Sequence, residues 1–288
     1  MYDEYDIVCV LGPTASGKTR YAVDLARRMG AEILSADSRQ VYRGMDIGTG
    51  KDLDEYGDVP YHLIDIVDAG QKYDIFCYQR DFEKAYRDIV ERGRRAIICG
   101  GSGLYIEAAC CGYHLPDVPP DPALRAELEK FDDQTLIARL ASLKKLHNHT
   151  DYDTRRRLIR ALEIAIYEQE HPVQRSAFLP KKVKFIGINV SHEQRRERID
   201  RRLDERLAAG MVDEVKGLLK SGIAPEDLIY YGLEYKFVTR HLIGELTYED
   251  MKSGLKTAIH QFAKRQMTWF RGMERRGIEI EWVDPIPS

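Results

Sequence analysis

No apolar run in the sequence approaches the roughly 20 residues needed to cross a bilayer as a helix. The opening residues, Met1-Tyr2-Asp3-Glu4-Tyr5-Asp6, lack the basic start and apolar middle of a secretory signal. Cysteine is scarce: five are present, none in a CxxC pair, and Cys9 and Cys99 sit inside apolar runs. That pattern argues against a disulfide or thiolate–metal framework and fits buried thiols in a reducing compartment. A cytoplasmic protein with no membrane partner is expected. There is no internal repeat and no low-complexity tract, so neither a solenoid nor a disordered class is indicated.

What is present suits a globular chain: 43% of the 288 residues are hydrophobic and 32% charged, enough for one large domain or two unequal ones. The net charge of −3 hides an asymmetry. Acidic residues dominate the first 90 positions, whereas arginines gather later in short dense runs. Net charge alone would not suggest a nucleic-acid partner; the clustering does.

Ile7 to Leu11 is a continuous apolar run ending at Gly12, the pattern of a strand buried on both faces. A helix is expected from Lys18 to about Met29, stopped by Gly30. Glu32 to Ser35 reads as a second strand and Tyr61 to Ile66 as a weaker one. Ile75, Tyr78, Phe82, Tyr86 and Ile89 recur at helical spacing. Ala96 to Cys99 is another buried strand, stopping at Gly100-Gly101-Ser102-Gly103 before a further helix. Alternating strands and helices imply a parallel sheet covered by helices, with ligands bound beyond the carboxyl ends of the strands. The fold class expected is therefore α/β, and the Gly-Pro-Thr-Ala-Ser-Gly-Lys-Thr segment at 12–19, between the first strand and the first helix, makes it a P-loop NTPase-like parallel sheet covered by helices. From Leu115 the texture changes: Pro116, Pro119, Pro120 and Pro122 mark a boundary, and charged helical sequence follows to about Glu170. His171-Pro172 and Pro180 bracket a second loop, so a helical insertion is placed over 116–180, between core segments 1–115 and 181–288. Val183 to Val190 resumes the core, long helices follow over 192–210 and 248–271, and 278–283 is a last strand.

Gly12-Pro13-Thr14-Ala15-Ser16-Gly17-Lys18-Thr19 satisfies the G-x-x-x-x-G-K-[ST] pattern after a strand and before a helix. Its glycines let backbone amides close around phosphate oxygens, and the helix N-terminus adds positive potential. Lys18 supplies a point charge and the Thr19 hydroxyl a ligand for Mg²⁺. A nucleotide hydrolase should also end a strand in Asp for its metal, yet the strand at 96–99 runs into two glycines. The candidate carboxylate is Asp37, past the second strand. Alone it is as compatible with a turn cap; beside Ser38 and Gln40 it reads as a base with positioning partners. Ser102 offers a hydroxyl at a helix start, where a tight turn is the plainer reading until the neighbouring loops are considered.

Three basic runs remain. Arg155-Arg156-Arg157-Leu158-Ile159-Arg160 puts charge on several faces of a helix. Arg195 to Arg202 mixes signs and suits a solvated face with i,i+4 pairs. Lys264-Arg265-Gln266-Met267-Thr268-Trp269-Phe270-Arg271 interleaves cations with aromatics, as phosphates and stacked bases require. Trp269 and Phe270 taken alone are equally readable as core. Together the runs favour a nucleic-acid surface.

In combination these features resemble the tRNA dimethylallyltransferase (tRNA isopentenyltransferase) family, over nearly the whole chain. The resemblance rests on residues 12–19, on Ser-Ala-Asp-Ser-Arg-Gln-Val-Tyr at 35–42 and on Gly-Met-Asp-Ile-Gly-Thr at 44–49. Gly-Gly-Ser-Gly-Leu-Tyr at 100–105, Arg-Ala-Leu-Glu at 160–163 and Ala-Lys-Arg-Gln-Met-Thr-Trp-Phe-Arg at 263–271 complete it. It implies transfer of a dimethylallyl group from dimethylallyl diphosphate to the exocyclic amine of the adenine beside the tRNA anticodon, with Mg²⁺. The P-loop would then grip the leaving diphosphate rather than ATP, with Thr19 serving metal and diphosphate. Asp37 would be the general base, Ser38 and Gln40 would hold a flipped adenine with Arg39 beside them, and Ser102 would contact the reacting centre or its phosphates. Arg202 resembles a diphosphate-contacting arginine. Arg156, Arg157, Arg160, Lys264, Arg265, Gln266, Trp269 and Arg271 would meet the anticodon stem-loop of tRNA, and a monomer is expected. The chain departs from the pattern where Ser102 replaces threonine and Arg206 replaces methionine. Tyr231 to Phe237 is all that matches the family's Ile-Gly-Tyr-Lys-Glu segment, and in one alignment Glu234 stands where glycine is expected. An adenylate isopentenyltransferase, a small-molecule P-loop kinase and a nucleic-acid-binding NTPase are the alternatives.

Overall fold

The computed structural model describes residues 2–112, 118–144, 153–171, 180 and 182–286. Strand β1 (Ile7–Leu11) leads through the P-loop into helix α1 (Lys18–Met29). Gly30, at φ 61°, ends that helix by returning its amide to the carbonyls of Ala26 and Arg27. Strand β2 (Ala31–Ala36) follows, and then three two-residue strands, β3 (Tyr42–Arg43), β4 (Tyr61–His62) and β5 (Val67–Asp68). Helix α2 (Ile75–Glu91), strand β6 (Arg95–Gly100) and helix α3 (Gly103–Cys110) complete the first half.

The weak strand expected over 61–66 is not one strand. Leu63 and Asp65 take left-handed backbone, at φ 66° and 54°, which breaks any extended run. Tyr61 and His62 add to the edge of the main sheet, while Val67 and Asp68 pair with β3 in a separate ribbon.

After the insertion, strand β7 (Val183–Ile188) rejoins the sheet beside β1. Five helices follow: α7 (His192–Ala208), α8 (Met211–Lys220), α9 (Pro225–Tyr230), α10 (Leu233–Leu242) and α11 (Tyr248–Arg275). Strand β8 (Ile280–Val283) closes the sheet. The main sheet runs β4-β2-β6-β1-β7-β8 with every neighbour parallel.

Strand residues alternate between faces, so each apolar run feeds two cores. Ile7, Cys9 and Leu11, with Leu34 and Ile98, pack among Tyr78, Phe82 and Phe270. Val8 and Val10, with Ile33 and Ile97, pack on Ala22, Leu25 and Ala26 of α1.

The chain divides into two compact units: Met1–Tyr113 with Phe178–Ser288, and His114–Ala177. Of the expected insertion edges at 115/116 and 180/181, residues 115, 116 and 181 lie outside the described residues and Pro180 within them. The smaller unit holds helices α4 (Pro122–Leu128), α5 (Asp133–Leu143) and α6 (Arg155–Glu170) around Leu128, Leu136, Leu140, Leu158 and Leu162.

The arginine run of α6 is largely spoken for inside this unit. Arg155 pairs with Glu129 (2.8 Å) and Asp133 (2.5 Å), Arg157 with Asp153 (2.9 Å), and Arg160 with Glu163 and the Val118 carbonyl. Glu163 also receives both Nε and Nη2 of Arg125, at 2.9 and 2.8 Å. Burial works to raise the Glu163 pKa, but Arg125, the Asp121 amide and Arg160 override it and hold the carboxyl at about 2. A carboxyl depressed from 4.5 to about 2 on folding stabilises above the higher value and loses that contribution as pH falls toward the lower. In an acid titration followed by circular dichroism, stability should therefore fall between pH 4.5 and 2, and Glu163→Gln should flatten that window. Parallel curves for the two proteins would remove Glu163 as the cause.

Candidate active site

Register places the site. Leu11, Gly100 and Ala36 lie abreast on β1, β6 and β2. The three loops leaving those strands therefore emerge side by side at the carboxyl edge of the sheet. Gly100 is required there because a Cβ would lie 2.2 Å from the Ala36 carbonyl oxygen.

In the first loop, Ala15 and Gly17 have φ of 60° and 84°, and Gly17 caps α1. Left-handed residues of this kind are the backbone ingredient of an anion nest, although the Ser16 amide itself donates to the Pro13 carbonyl at 3.3 Å. The Ser16 hydroxyl is buried without a partner among the described residues. Lys18 and Thr19 line the cavity beyond the loop. Burial pushes the Lys18 ammonium pKa down. The Cys99 thiol behind it is pushed up to about 11 by burial, so it stays neutral.

The second and third loops are stitched together. The Ser102 hydroxyl accepts from the Ser38 amide (3.1 Å), and the Ser102 amide donates to the Ala36 carbonyl (3.2 Å). Asp37 Oδ1 accepts from the Arg39 amide at 2.9 Å, while Oδ2 has no partner among the described residues. Lys18, Thr19, Asp37, Ser38, Arg39, Gln40 and Ser102 all line one cavity of about 560 Å³. Gln40 reaches across to the Gly50 carbonyl (3.1 Å), so its amide nitrogen is already engaged.

A fourth loop, 44–52, forms another wall. Glu214 of α8 accepts the amides of Asp46, Ile47 and Gly48 at 2.8, 2.7 and 3.0 Å, and the Tyr235 hydroxyl at 2.6 Å. One carboxylate thus fixes three successive amides of the loop. Arg202 binds this loop through Asp52 and the Gly50 carbonyl (3.3 Å). Glu214 belongs to no motif, and nothing in the local pattern of α8 distinguishes it from a solvated acid.

The structure divides the last basic run. Gln266 is 8% exposed, accepts the Thr14 amide (2.9 Å) and donates to the Gly101 carbonyl (2.9 Å). It latches the P-loop to the β6 loop instead of offering itself at the surface. The signal was available in the periodicity: Met251, Leu255, Ile259, Ala263, Gln266, Phe270 and Met273 form one buried stripe on α11. Lys264, Arg265 and Arg271 fall off it and are exposed. Trp269 is pinned by its indole N–H to Glu107 (2.8 Å), and with Leu104 and Phe262 it forms an apolar rim to the cavity. Gln266→Ala would strand the Thr14 amide and the Gly101 carbonyl, at a cost of about 2 to 4 kcal/mol. The urea midpoint should fall accordingly with an unchanged slope; a shift equivalent to less than about 0.5 kcal/mol would mean that water replaces the latch.

Among the described residues, no three His, Cys, Asp or Glu side chains gather into a metal cage. The Thr19 hydroxyl, which lines the cavity, is an oxygen donor of the kind a hard cation such as Mg²⁺ accepts.

Comparison with known proteins agrees on one family. The IPP transferase model matches residues 40–273, and the isopentenyl transferase model matches 5–56. The tRNA dimethylallyltransferase 1 of Porphyromonas gingivalis is 57% identical over 284 residues, covering 97% of this chain and 94% of that protein. The tRNA dimethylallyltransferase 2 of Bacteroides fragilis is 55% identical, covering 98% and 93%. Among solved structures, the full-length tRNA isopentenylpyrophosphate transferase of Bacillus halodurans superposes with a TM-score of 0.71 at 34% identity, covering 97% of this chain and 90% of that one. A eukaryotic dimethylallyltransferase acting on tRNA gives 0.79 at 25% identity, covering 96% and 73%.

Proposed function

The chain belongs to the tRNA dimethylallyltransferase family, and on that premise we propose that it transfers a dimethylallyl group from dimethylallyl diphosphate to the exocyclic amine of the adenine 3′-adjacent to the anticodon in tRNA. The observation that carries this reading is the register of β1, β6 and β2. It puts a phosphate-binding loop, Ser102 and the Asp37 carboxylate around one cavity, while β6 ends in glycine where an NTP hydrolase would hold its metal.

The chemistry follows from what those groups can do. The C1–O bond of an allylic diphosphate breaks with its electron pair going to the diphosphate, and charge develops on that leaving group. Lys18, Arg202 and the P-loop amides at the start of α1 stabilise it in place, with no reorganisation during the step. Mg²⁺, held through Thr19, would supply further neutralisation of the diphosphate. The adenine amine forms the new N–C1 bond and must lose a proton, and Asp37 Oδ2, a carboxylate oxygen left over by the Arg39 turn, takes it in this reading. Ser102 holds the Asp37 loop through the Ser38 amide, and so acts as a positioning group.

The acceptor base must leave its stack to reach this cavity. Phe262 and Trp269 at the rim offer flat faces for it. The reading is tested by incubating the protein with dimethylallyl diphosphate, Mg²⁺ and unmodified tRNA, without nucleotide triphosphate, and weighing the nucleosides. An adenosine heavier by one isopentenyl unit is expected. A strict ATP requirement with matching phosphate release would make the protein a kinase or ATPase instead.

A further inference from the structure

Arg202 and Arg206 stand one turn apart on α7 and converge on the same backbone. A Cβ on Gly50 would lie 1.5 Å from Arg206 Nη2 and 2.8 Å from Arg202 Nη2. Two guanidinium groups brought to one point repel unless an anion joins them. Both line the cavity that holds Asp37, and both also line the adjoining one that holds Ser16, Gly17 and Arg198. Arg202 has a carboxylate partner in Asp52.

Arg206 is poorly served. Its contacts are long: 3.4 Å to the Gly48 carbonyl and 3.5 Å to Glu234 of α10. Its Nε is buried without a partner among the described residues. The two side chains are only 14% and 20% exposed. A buried ion pair offsets its desolvation only with good geometry and its remaining donors satisfied. The protein builds such a pair elsewhere, between Arg125 and Glu163, with two bonds of 2.9 and 2.8 Å. Arg206 and Glu234 lack that geometry, yet both face the cavity of the reaction.

We propose that Arg206 is a second diphosphate-binding arginine and that Glu234 is its resting counter-ion, displaced when diphosphate arrives. The inference rests on the prenyl-transfer reading above and assigns its leaving group an additional cation. Burial pushes the Glu234 carboxyl pKa up, with Arg206 opposing, so losing Arg206 to diphosphate leaves a carboxylate that readily takes a proton.

The experiment is calorimetric titration of inorganic diphosphate with Mg²⁺ into wild type, Arg206→Met, Glu234→Gln and the double variant. Arg206→Met should bind about 10- to 100-fold more weakly, as expected for losing charge-assisted hydrogen bonds. Glu234→Gln should bind at least as tightly as wild type, because it removes the competitor. The double variant should match Arg206→Met, which shows that a stranded Glu234 is not the cause of the loss. An Arg206→Met affinity within about twofold of wild type overturns the proposal while leaving prenyl transfer intact. So does equal weakening by Glu234→Gln, or recovery in the double variant, since either marks a structural bridge. If wild type itself fails to bind diphosphate, the underlying reading falls with it.

Discussion

Replacing Asp37 by asparagine is expected to slow single-turnover prenyl transfer by about two to four orders of magnitude while leaving tRNA affinity within about twofold of wild type. The substitution is nearly isosteric. The asparagine Oδ1 can still accept the Arg39 amide, so the turn that now bonds at 2.9 Å should survive. The Ser38–Ser102 stitch, which sets the direction of the loop, does not involve the side chain of residue 37. What is lost is an oxygen able to take the proton of the attacking amine. An aromatic amine is a weak nucleophile whose nitrogen becomes acidic only as the new bond forms, so the base is needed late in the step, after binding. The loss should therefore appear in the chemical step and not in Kd. Near-normal single-turnover rates in Asp37→Asn, with tRNA bound as before, would assign the proton to water or another group.

The parts of the site that were legible in the sequence are those fixed by local backbone rules. A strand–glycine–helix junction at 7–29 specifies its own geometry, and Gly17 and Gly30 punctuate it as their spacing implies. Asp37 and Ser102 were also legible, because strands buried on both faces announce where they end. Illegible were the residues that act across long separations in the chain. Glu214 holds the loop at 46–48 from 166 to 168 residues away, and its helix carries no sign of it. Gln266 has charged neighbours that give the segment the look of a basic surface, yet its position on the buried stripe of α11 puts it inside. The 61–66 run failed for another reason: two left-handed residues, Leu63 and Asp65, are not a conformation that apolar periodicity encodes.

The binding of tRNA should depend on salt far more steeply than the charge of −3 suggests, and the structure narrows which cations are responsible. Arg155, Arg157 and Arg160 already hold carboxylates within the smaller unit, so each would have to give up an ion pair to meet a phosphate. Lys264, Arg265 and Arg271 are exposed on α11, and Arg156 is exposed on α6. Arg195 of α7 has its pKa pushed down by partial burial and then by the neighbouring Arg271. Like charges held together in this way favour a polyanion, since folding alone gains nothing from them. Each phosphate neutralised releases counterions, so log affinity should fall with log salt at about 0.7 to 0.9 per contact. Six or more contacts would weaken binding by about three orders of magnitude or more between 50 and 200 mM salt. Alanine at Arg195, Lys264, Arg265 and Arg271 together should flatten the slope by about three, whereas alanine at Arg157 and Arg160 should move it by less than about one. The two variants need separate stability controls, because Arg160 supports Glu163 and its loss should lower the unfolding midpoint instead. Equal flattening by both variants would return the α6 arginines to the RNA surface. An unchanged slope in the fourfold variant would mean that α7 and α11 present these cations only to water.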